Sequence, residues 1–356
     1  MTPWILLLLV PIITESFKNK NIYFCGKYHN LSFIITFVIL FIFRGFRSDT
    51  VGGDLVTYKE AYGYLTSFSL SEFKLIGTSG YEFGFIIYNT ILNKISNNFQ
   101  TELIVTGLIT TFCLLKCIFN NSRNPGFSLF IYITMYLYGS SFNNERQAIA
   151  IVILMLSIEY IKKRDAKRFV LFVFLATLFH TTSLVFLILY IVYTIKLSRR
   201  YWLLVIFSGA CVLILSNTIL SFIIRSFYSA KYDGVDLMIG GGYAYFALLV
   251  ILIWLSFVFM TPKQKEDPNK RLWIHMLVIG AIMQILSFNM GYFYRAVILF
   301  SMSMIFYIPE VLSSIKYRSI SQLCKVIVII LLVVYYYYTI NNDTLELVPY
   351  SNILFR

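Results

Sequence analysis

The sequence has few charged residues and few residues that break helices or form cross-links. Charged residues make up 13% of its 356 positions, and there are only 7 proline, 3 histidine and 5 cysteine residues. A soluble domain of this length carries roughly 25% charged residues. The scarcity of charge therefore excludes an ordinary soluble globular protein. No cysteine falls in a predicted external loop, so no disulfide framework is expected.

Apolar residues are abundant instead. Hydrophobic residues form 58% of the chain, and the mean hydropathy is +0.75. Apolar runs recur along the whole length, and strand-like alternation is missing. A lipid bilayer is the solvent that suits such a composition. We predict one all-α, polytopic transmembrane domain over residues 1–356 with about 12 (11–13) helical spans.

The net charge of +13 does not indicate nucleic-acid binding, because Lys and Arg fall in the connectors between apolar runs. Basic connectors face the cytoplasm in inner-membrane proteins. This rule predicts that both termini lie outside. The basic connectors are at positions 18–27, 116–123, 162–168, 196–200, 263–271 and 316–325. The predicted spans are approximately 2–16, 31–46, 101–118, 127–142, 146–161, 168–181, 183–197, 201–224, 243–260, 272–288, 294–314 and 325–340.

The apolar segment Tyr81–Phe99 does not fit this topology. If it crossed the membrane, every later basic connector would face outward. It also contains Lys94 and several asparagine residues. We therefore predict an amphipathic, re-entrant or interfacial helix that closes an external region, residues 47–100. A full crossing is the alternative.

Charged residues at the external span ends are candidate functional residues, because a membrane interior disfavours ionisable groups. The first group surrounds the turn Gly52–Gly53, whose backbone N–H groups we expect to face an anion. It comprises Arg44, Arg47, Asp49, Asp54, Tyr58 and Glu82. A solvated loop tip is the alternative interpretation.

A second group contains Asn143, Arg146 and Gln147. Arg146 begins an apolar helix, where a cation is unfavourable beside the positive helix terminus. An anionic partner would compensate for that position. The alternative is an arginine that extends to a lipid phosphate at the interface.

Two further external positions carry candidates. His180 stands where one short span turns into the next and suits proton transfer or phosphate binding; a buried structural histidine is the alternative. Tyr292, Tyr294 and Arg295 form the last group, which an interfacial aromatic belt would also explain. We predict that Arg47, Arg146, His180 and Arg295 converge in one outward-facing cleft.

Four stretches resemble, in order, the signatures of EpsG-like, Wzy-type polysaccharide polymerases. They are Phe46–Asp54 followed by Tyr58, Tyr81–Phe85, Asn143–Ala150 and Leu178–Ser183. Gly53 stands where threonine is common in such sequences, so a hydroxyl group is lost from the first motif. No P-loop, zinc pattern or Ser/His/Asp triad is present in the sequence.

The resemblance implies a GT-C-like, inverting glycosyltransferase in the bacterial inner membrane. Its substrate would be an undecaprenyl-pyrophosphate-linked oligosaccharide, which it would polymerise into O-antigen or capsule on the periplasmic face. No metal or cofactor is expected; membrane lipids and a chain-length regulator are expected partners. A flippase should show an internal repeat, and an O-acetyltransferase should direct its polar residues toward the cytoplasm; neither pattern is found.

The implied chemistry assigns roles to the candidates. Arg47, Arg146 and Arg295 would stabilise the pyrophosphate leaving group. His180, Glu82 and Asp54, in that order, are the candidate bases for the acceptor hydroxyl. The expected substrate-binding residues are Arg44, Asp49, Tyr58, Asn143, Gln147, Tyr292 and Tyr294.

Overall fold

The computed structural model describes residues 1–24, 27–64, 80–227 and 241–355. Cys25 and residues 65–79 of the predicted external region lie outside the described residues. One short antiparallel hairpin joins β1 (Asn21–Phe24) to β2 (Lys27–Asn30). The helices are α1 Thr2–Leu6, α2 Val10–Ser16, α3 Leu31–Gly45, α4 Leu55–Tyr64, α5 Phe83–Ile95, α6 Gln100–Asn121, α7 Pro125–Thr134, α8 Leu137–Asn143, α9 Glu145–Lys162, α10 Ala166–Thr177, α11 Ile188–Val192, α12 Arg199–Phe227, α13 Tyr243–Phe259, α14 Pro262–Glu266, α15 Pro268–Ser287, α16 Tyr294–Ser301, α17 Met304–Ser314 and α18 Arg318–Asn342.

Several of these helices suit a membrane. Within the described residues, α6, α12, α15 and α18 are long and apolar enough to cross one, and α16 with α17 would form a fifth span bent by 44°. Ile206, Phe207 and Ile214 on α12 are 69%, 67% and 79% exposed. Such exposure of large apolar side chains suits lipid rather than water. The chain is an all-α membrane protein, and the count of twelve spans stays a prediction.

Some predicted spans are interrupted helices. The predicted span 127–142 consists of α7 and α8, separated at Tyr136, whose backbone is left-handed with φ 61°. The predicted span 2–16 contains a 3₁₀ turn at Leu7–Leu9. Pro11 follows that turn, in the first turn of α2. Proline lacks an N–H group and is favoured at such a helix start, where that group would have no partner inside the helix.

Asparagine and aspartate caps fix where other helices begin. The side chain of Asn124 accepts a hydrogen bond from the Phe127 N–H group at 2.9 Å, and Asp267 accepts one from the Asn269 N–H group at 2.9 Å. In both cases proline occupies an early helical position. This arrangement satisfies N–H groups that have no partner inside the helix.

The chain divides into two compact units. Unit 1 comprises Met1–Ser157, Phe174–Thr181 and Gln322–Arg356, and unit 2 comprises Ile158–Val173 and Thr182–Ser321. In unit 1, α3 crosses α6 where Gly107 meets Gly45. A Cβ atom on Gly107 would lie 2.8 Å from the Cα atom of Gly45. Small residues allow membrane helices to approach this closely.

The two chain ends meet in unit 1. The Trp4 indole N–H donates to the Leu347 carbonyl at 3.0 Å, and the Tyr336 hydroxyl donates to the Trp4 carbonyl at 2.9 Å. Tyr350 stacks on Phe43 with ring centroids 4.1 Å apart. The first helix and the C-terminal segment therefore lie at the same end of unit 1, next to the last turn of α3.

In unit 2, α15 lies at the centre and packs against α12, α13, α16 and α17. His275 on α15 is buried, with Nδ1 2.8 Å from the Tyr201 hydroxyl and Nε2 3.1 Å from the Ile195 carbonyl. Trp273 stacks on Phe306 at 4.4 Å. These contacts give His275 a structural role in the packing of α15.

The glycine crossing generates a stability prediction. We expect Gly107→Ala to lower the thermal unfolding temperature of the purified protein in detergent, because the added methyl group collides with the backbone of α3. Overpacking of this kind costs about 1–3 kcal/mol. The matched control is Gly63→Ala on α4, where no atom lies within 4 Å of the added Cβ. Equal unfolding temperatures for the two variants would contradict this account of the crossing.

Candidate functional site

Two arginine residues and one glutamate form a buried ion cluster in unit 1. Arg44 lies in the last turn of α3, Arg47 follows that helix, and Glu145 is the first residue of α9. The Arg44 Nη2 atom lies 2.9 Å from Glu145 Oε2, and Arg47 donates to Glu145 Oε1. All three side chains are 1% exposed. We call Arg44, Arg47 and Glu145 the buried ion cluster.

Arg47 is held on every side by protein atoms. Its guanidinium donates to the carbonyls of Arg44 at 3.2 Å and Phe142 at 3.0 Å, and it lies 4.4 Å above the Phe142 ring. The Gln100 side chain donates to the Arg47 carbonyl at 3.2 Å. The backbone of Arg47 also pairs with Asn352. The Arg47 guanidinium is therefore bonded within the fold, and it shares the Glu145 carboxylate with Arg44.

Glu102 is a further buried acidic residue near this cluster. It lies in the first turn of α6 and is 0% exposed. The Thr106 hydroxyl donates to Glu102 Oε1 at 2.9 Å, and the Tyr88 hydroxyl lies 2.7 Å from Thr106 Oγ1. Glu145 lies within the motif Asn143–Ala150, but neither Glu102 nor Glu145 was assigned a catalytic or binding role from the sequence. Each is a carboxylate at the start of an apolar helix, which is the signal that could have identified them.

A second cluster brings together residues from three separate motifs. Arg146 on α9 forms an ion pair with Glu82 Oε2, and His180 Nδ1 lies 3.6 Å from Glu82 Oε1. The Thr181 N–H group donates to the same Oε1 atom at 3.4 Å. The Arg146 and Glu82 side chains are 15% and 13% exposed, whereas the His180 side chain is buried at 3% exposure. We call Glu82, Arg146 and His180 the accessible cluster.

Aromatic rings surround Arg146. Its guanidinium carbon lies 4.8 Å from the Tyr81 ring centroid, 5.9 Å from that of Phe85 and 6.0 Å from that of Tyr58. Tyr58 is buried at 8% exposure, whereas Tyr81 is partly exposed. Cation–π contacts favour a cation in such a cage. Arg146 is thus oriented by both a carboxylate and aromatic faces.

Glu82 remains ionised in this environment. Burial raises the pKa of Glu82, but the contact with His180 and the charge of Arg146 outweigh burial and lower the pKa to about 2. A carboxylate with so low a pKa is a weak proton acceptor near neutral pH. Glu82 is therefore an anion that pairs with Arg146 and faces His180.

Close backbone packing fixes the accessible cluster. The Gly84 N–H group donates to the Leu178 carbonyl at 2.8 Å, and a Cβ atom on Gly84 would lie 2.7 Å from Leu178 Cβ. The Tyr88 ring lies 6.0 Å from that of Phe179. The start of α5 therefore rests against the segment that ends in His180.

The Gly52–Gly53 turn is arranged differently from the expectation. Gly52 has φ 125°, which favours glycine. However, the Gly52 N–H group donates to the Glu346 carbonyl at 3.0 Å, and the Gly53 N–H group donates to the Leu345 carbonyl at 3.1 Å. The expectation that these N–H groups face an anion is wrong for this structure, because the C-terminal segment occupies both.

The other candidates near this turn differ in exposure. Asp49 forms an exposed ion pair with Lys59 at 2.6 Å, and the hydrogen bond from Lys59 lowers the pKa of Asp49. Asp54 is exposed. Asn143 and Gln147 are buried at 5% and 3% exposure. Of these four side chains, only the two aspartates face solvent.

The last predicted group lies in unit 2. Tyr294 begins α16 and is 42% exposed, and its ring lies 5.7 Å from that of Tyr245. Arg295, the next residue, is partly exposed. The side chain of Tyr292 lies outside the described part of the structure. The convergence of Arg295 with the residues of unit 1 stays a prediction.

The fold and these clusters define a helical membrane protein with an arginine, a carboxylate and a histidine held together near helix ends. Comparison with known protein families identifies one family within this class of membrane protein. The EpsG family model matches residues 30–352. The chain therefore belongs to the EpsG family, a family of polysaccharide polymerases with glycosyltransferase-like activity.

No curated protein and no solved structure matches the chain. The assignment to polysaccharide synthesis therefore comes from the family. The arrangement of the site comes from this structure.

The buried ion cluster generates a second prediction. Glu145→Gln removes the carboxylate that Arg44 and Arg47 share, and breaking a buried ion pair costs roughly 3–5 kcal/mol. We expect this variant to lose most of its folded protein in detergent gel filtration. The matched control is Glu159→Gln, which removes a carboxylate paired with Lys163 at an exposed site and should change stability by less than about 1 kcal/mol. Equal recovery of both variants would disprove the structural role of Glu145.

Proposed function

We propose that the protein polymerises undecaprenyl-pyrophosphate-linked oligosaccharide repeat units, as O-antigen or capsule, on the periplasmic face of the bacterial inner membrane. The observation that carries this proposal is the grouping of Glu82, Arg146 and His180 in one partly accessible cluster. A GT-C-like arrangement of twelve spans and a chain-length regulator as partner belong to the proposal. The family assignment and the alternation of apolar runs with basic connectors support it.

Arg146 would stabilise the leaving group. In the proposed inverting transfer, the bond between the anomeric carbon and the pyrophosphate oxygen breaks, and the acceptor hydroxyl forms the new glycosidic bond. The pyrophosphate gains negative charge as that bond breaks, and a preorganised guanidinium in a site of low dielectric stabilises the charge. A pyrophosphate carries more charge than one carboxylate, so it would compete with Glu82 for Arg146.

His180 would accept the proton of the acceptor hydroxyl. Its Nδ1 atom faces the ionised Glu82 carboxylate at 3.6 Å. A carboxylate in that position favours the tautomer that carries its proton on Nδ1, which leaves Nε2 as the basic nitrogen. Glu82 is then a positioning residue, and His180 is the base.

The remaining candidates have supporting roles in this proposal. Arg44 and Arg47 would position α9 through Glu145, because both guanidinium groups are buried and bonded to that one carboxylate. Arg295 in unit 2 would be a second ligand of the anionic substrates. Tyr81, Tyr294 and the exposed Asp49 and Asp54 would contact sugar hydroxyls or ring faces.

The proposal predicts the effect of substitutions on polymer formation. Arg146→Ala should lower the rate by about 10- to 1000-fold, by analogy with removal of an oxyanion donor. Arg146→Lys should lose nearly as much, because lysine keeps the charge but lacks the planar fork. His180→Ala and Glu82→Gln should also shorten the polymer. Polymer length is measured on gels, with purified protein and lipid-linked repeats.

The matched control is Arg318→Ala, which removes an exposed arginine at the start of α18. We expect this variant to give wild-type polymer. Wild-type ladders from Arg146→Ala and His180→Ala, with normal protein levels, would reject the proposed site.

The proposed orientation is tested with reporter fusions. A reporter that is active only in the cytoplasm should work when fused after Arg168 and fail when fused after Arg356, because the basic connector 162–168 is retained on the cytoplasmic side. A reporter active only outside should show the opposite pattern. Cytoplasmic activity at Arg356 would overturn the topology.

A further inference from the structure

We propose that unit 2 carries a binding site for an anionic phospholipid, separate from the accessible cluster. The site is an open groove of about 830 Å³ between α12, α13 and α15. Its walls are apolar and include Trp202, Leu213, Phe246, Trp254 and Ile285. Trp254 and Leu213 are 58% and 56% exposed, so the groove is open to the surrounding lipid.

Among the described residues, the two charged side chains that line the groove, Arg199 and Lys265, are both basic and lie at one end of it. Arg199 begins α12, and Lys265 belongs to α14, which directly follows α13. The Lys265 Nζ atom lies 4.9 Å from the Phe257 ring centroid, at the end of α13. A capping box between Thr261 and Gln264 fixes this short helix. The groove is therefore apolar along its length and basic at one end. We call the apolar part the channel and the basic end the mouth.

The dimensions suit an acyl chain. Along α12 the lining extends from Arg199 to Leu213, a distance of about 21 Å at the rise of an α-helix. One leaflet contributes about half of the ~30 Å hydrocarbon core. Gly209 forms part of the wall, and a Cβ atom there would have only Ile285 Cδ1 nearby, at 3.7 Å. The missing side chain keeps the channel deep.

The position of the basic residues indicates which kind of molecule binds in the groove. Lys196, Arg200 and Lys263 are further basic residues on the same connectors as Arg199 and Lys265, which also carry Glu266 and Asp267. In the orientation proposed above, on which this step rests, these connectors face the cytoplasmic leaflet, which is rich in anionic phospholipid. A phospholipid with an anionic headgroup satisfies both the basic mouth and the apolar channel.

Quenching of tryptophan fluorescence by brominated lipids tests the site. Trp202 and Trp254 line the groove, whereas Trp4 and Trp273 are 1% and 4% exposed. Brominated acyl chains should therefore quench mainly the groove pair. We expect brominated phosphatidylglycerol to reach half-maximal quenching of the purified protein at a mole fraction about 10- to 30-fold lower than brominated phosphatidylcholine does. This factor corresponds to the contacts of the anionic headgroup with two basic side chains.

Two kinds of variant test the basic charge of the groove and its shape separately. The double substitution Arg199→Gln and Lys265→Gln should abolish the preference for phosphatidylglycerol. The matched control, Lys316→Gln with Arg318→Gln, removes the same charge from exposed positions of unit 2 outside the groove and should retain the preference. Gly209→Leu should fill the channel and reduce quenching by both lipids, without loss of helical content.

Three results would overturn the proposal. They are equal quenching of the wild type by both lipids, loss of preference in the control variant, and unchanged quenching of Gly209→Leu. None of these measurements requires polymer formation, so failure of the lipid site can be distinguished from failure of the proposed polymerisation.

Discussion

The shared ion pair of Glu145 with Arg44 and Arg47 is the interaction on which unit 1 depends. A carboxylate or a guanidinium buried without a partner is strongly destabilising, so the three side chains must meet when the fold forms. Their meeting ties the end of α3 to the start of α9. Since neighbouring helical residues point about 100° apart, fixing Glu145 also directs Arg146 away from this cluster and toward Glu82.

The exposed fraction of the side chain distinguishes Arg146 from Arg44 and Arg47 more clearly than their positions in the sequence do. Arg44 and Arg47 are 1% exposed and bonded within the protein, whereas Arg146 is 15% exposed. An anionic ligand that reaches Arg146 would replace the Glu82 carboxylate as the partner of the guanidinium group. A ligand at Arg47 would have to separate a buried pair and open the packing around Phe142. The structure therefore favours Arg146 as the arginine available for an anionic substrate.

Much of the fold and part of the site could be predicted from the sequence. The apolar runs predict the long helices. The polar residues predicted near span ends include Glu82, Arg146 and His180. The pairing of Arg47 with Glu145 could not be predicted, because it joins positions 98 residues apart and depends on how α3 and α9 pack. The occupied N–H groups at Gly52 were missed for the same reason, since their partners lie in the C-terminal segment.

The unfavourable position of Arg146 beside a helix N-terminus now has a physical explanation. Glu82 forms the N-cap of α5, where a carboxylate is favoured, and its pairing with Arg146 compensates for the cation in the first turn of α9. An anionic ligand is not needed to stabilise Arg146. If a pyrophosphate takes Arg146, Glu82 keeps the Thr181 N–H group and His180 as partners. The carboxylate is then not left without a partner, which keeps the exchange of anions at Arg146 energetically accessible.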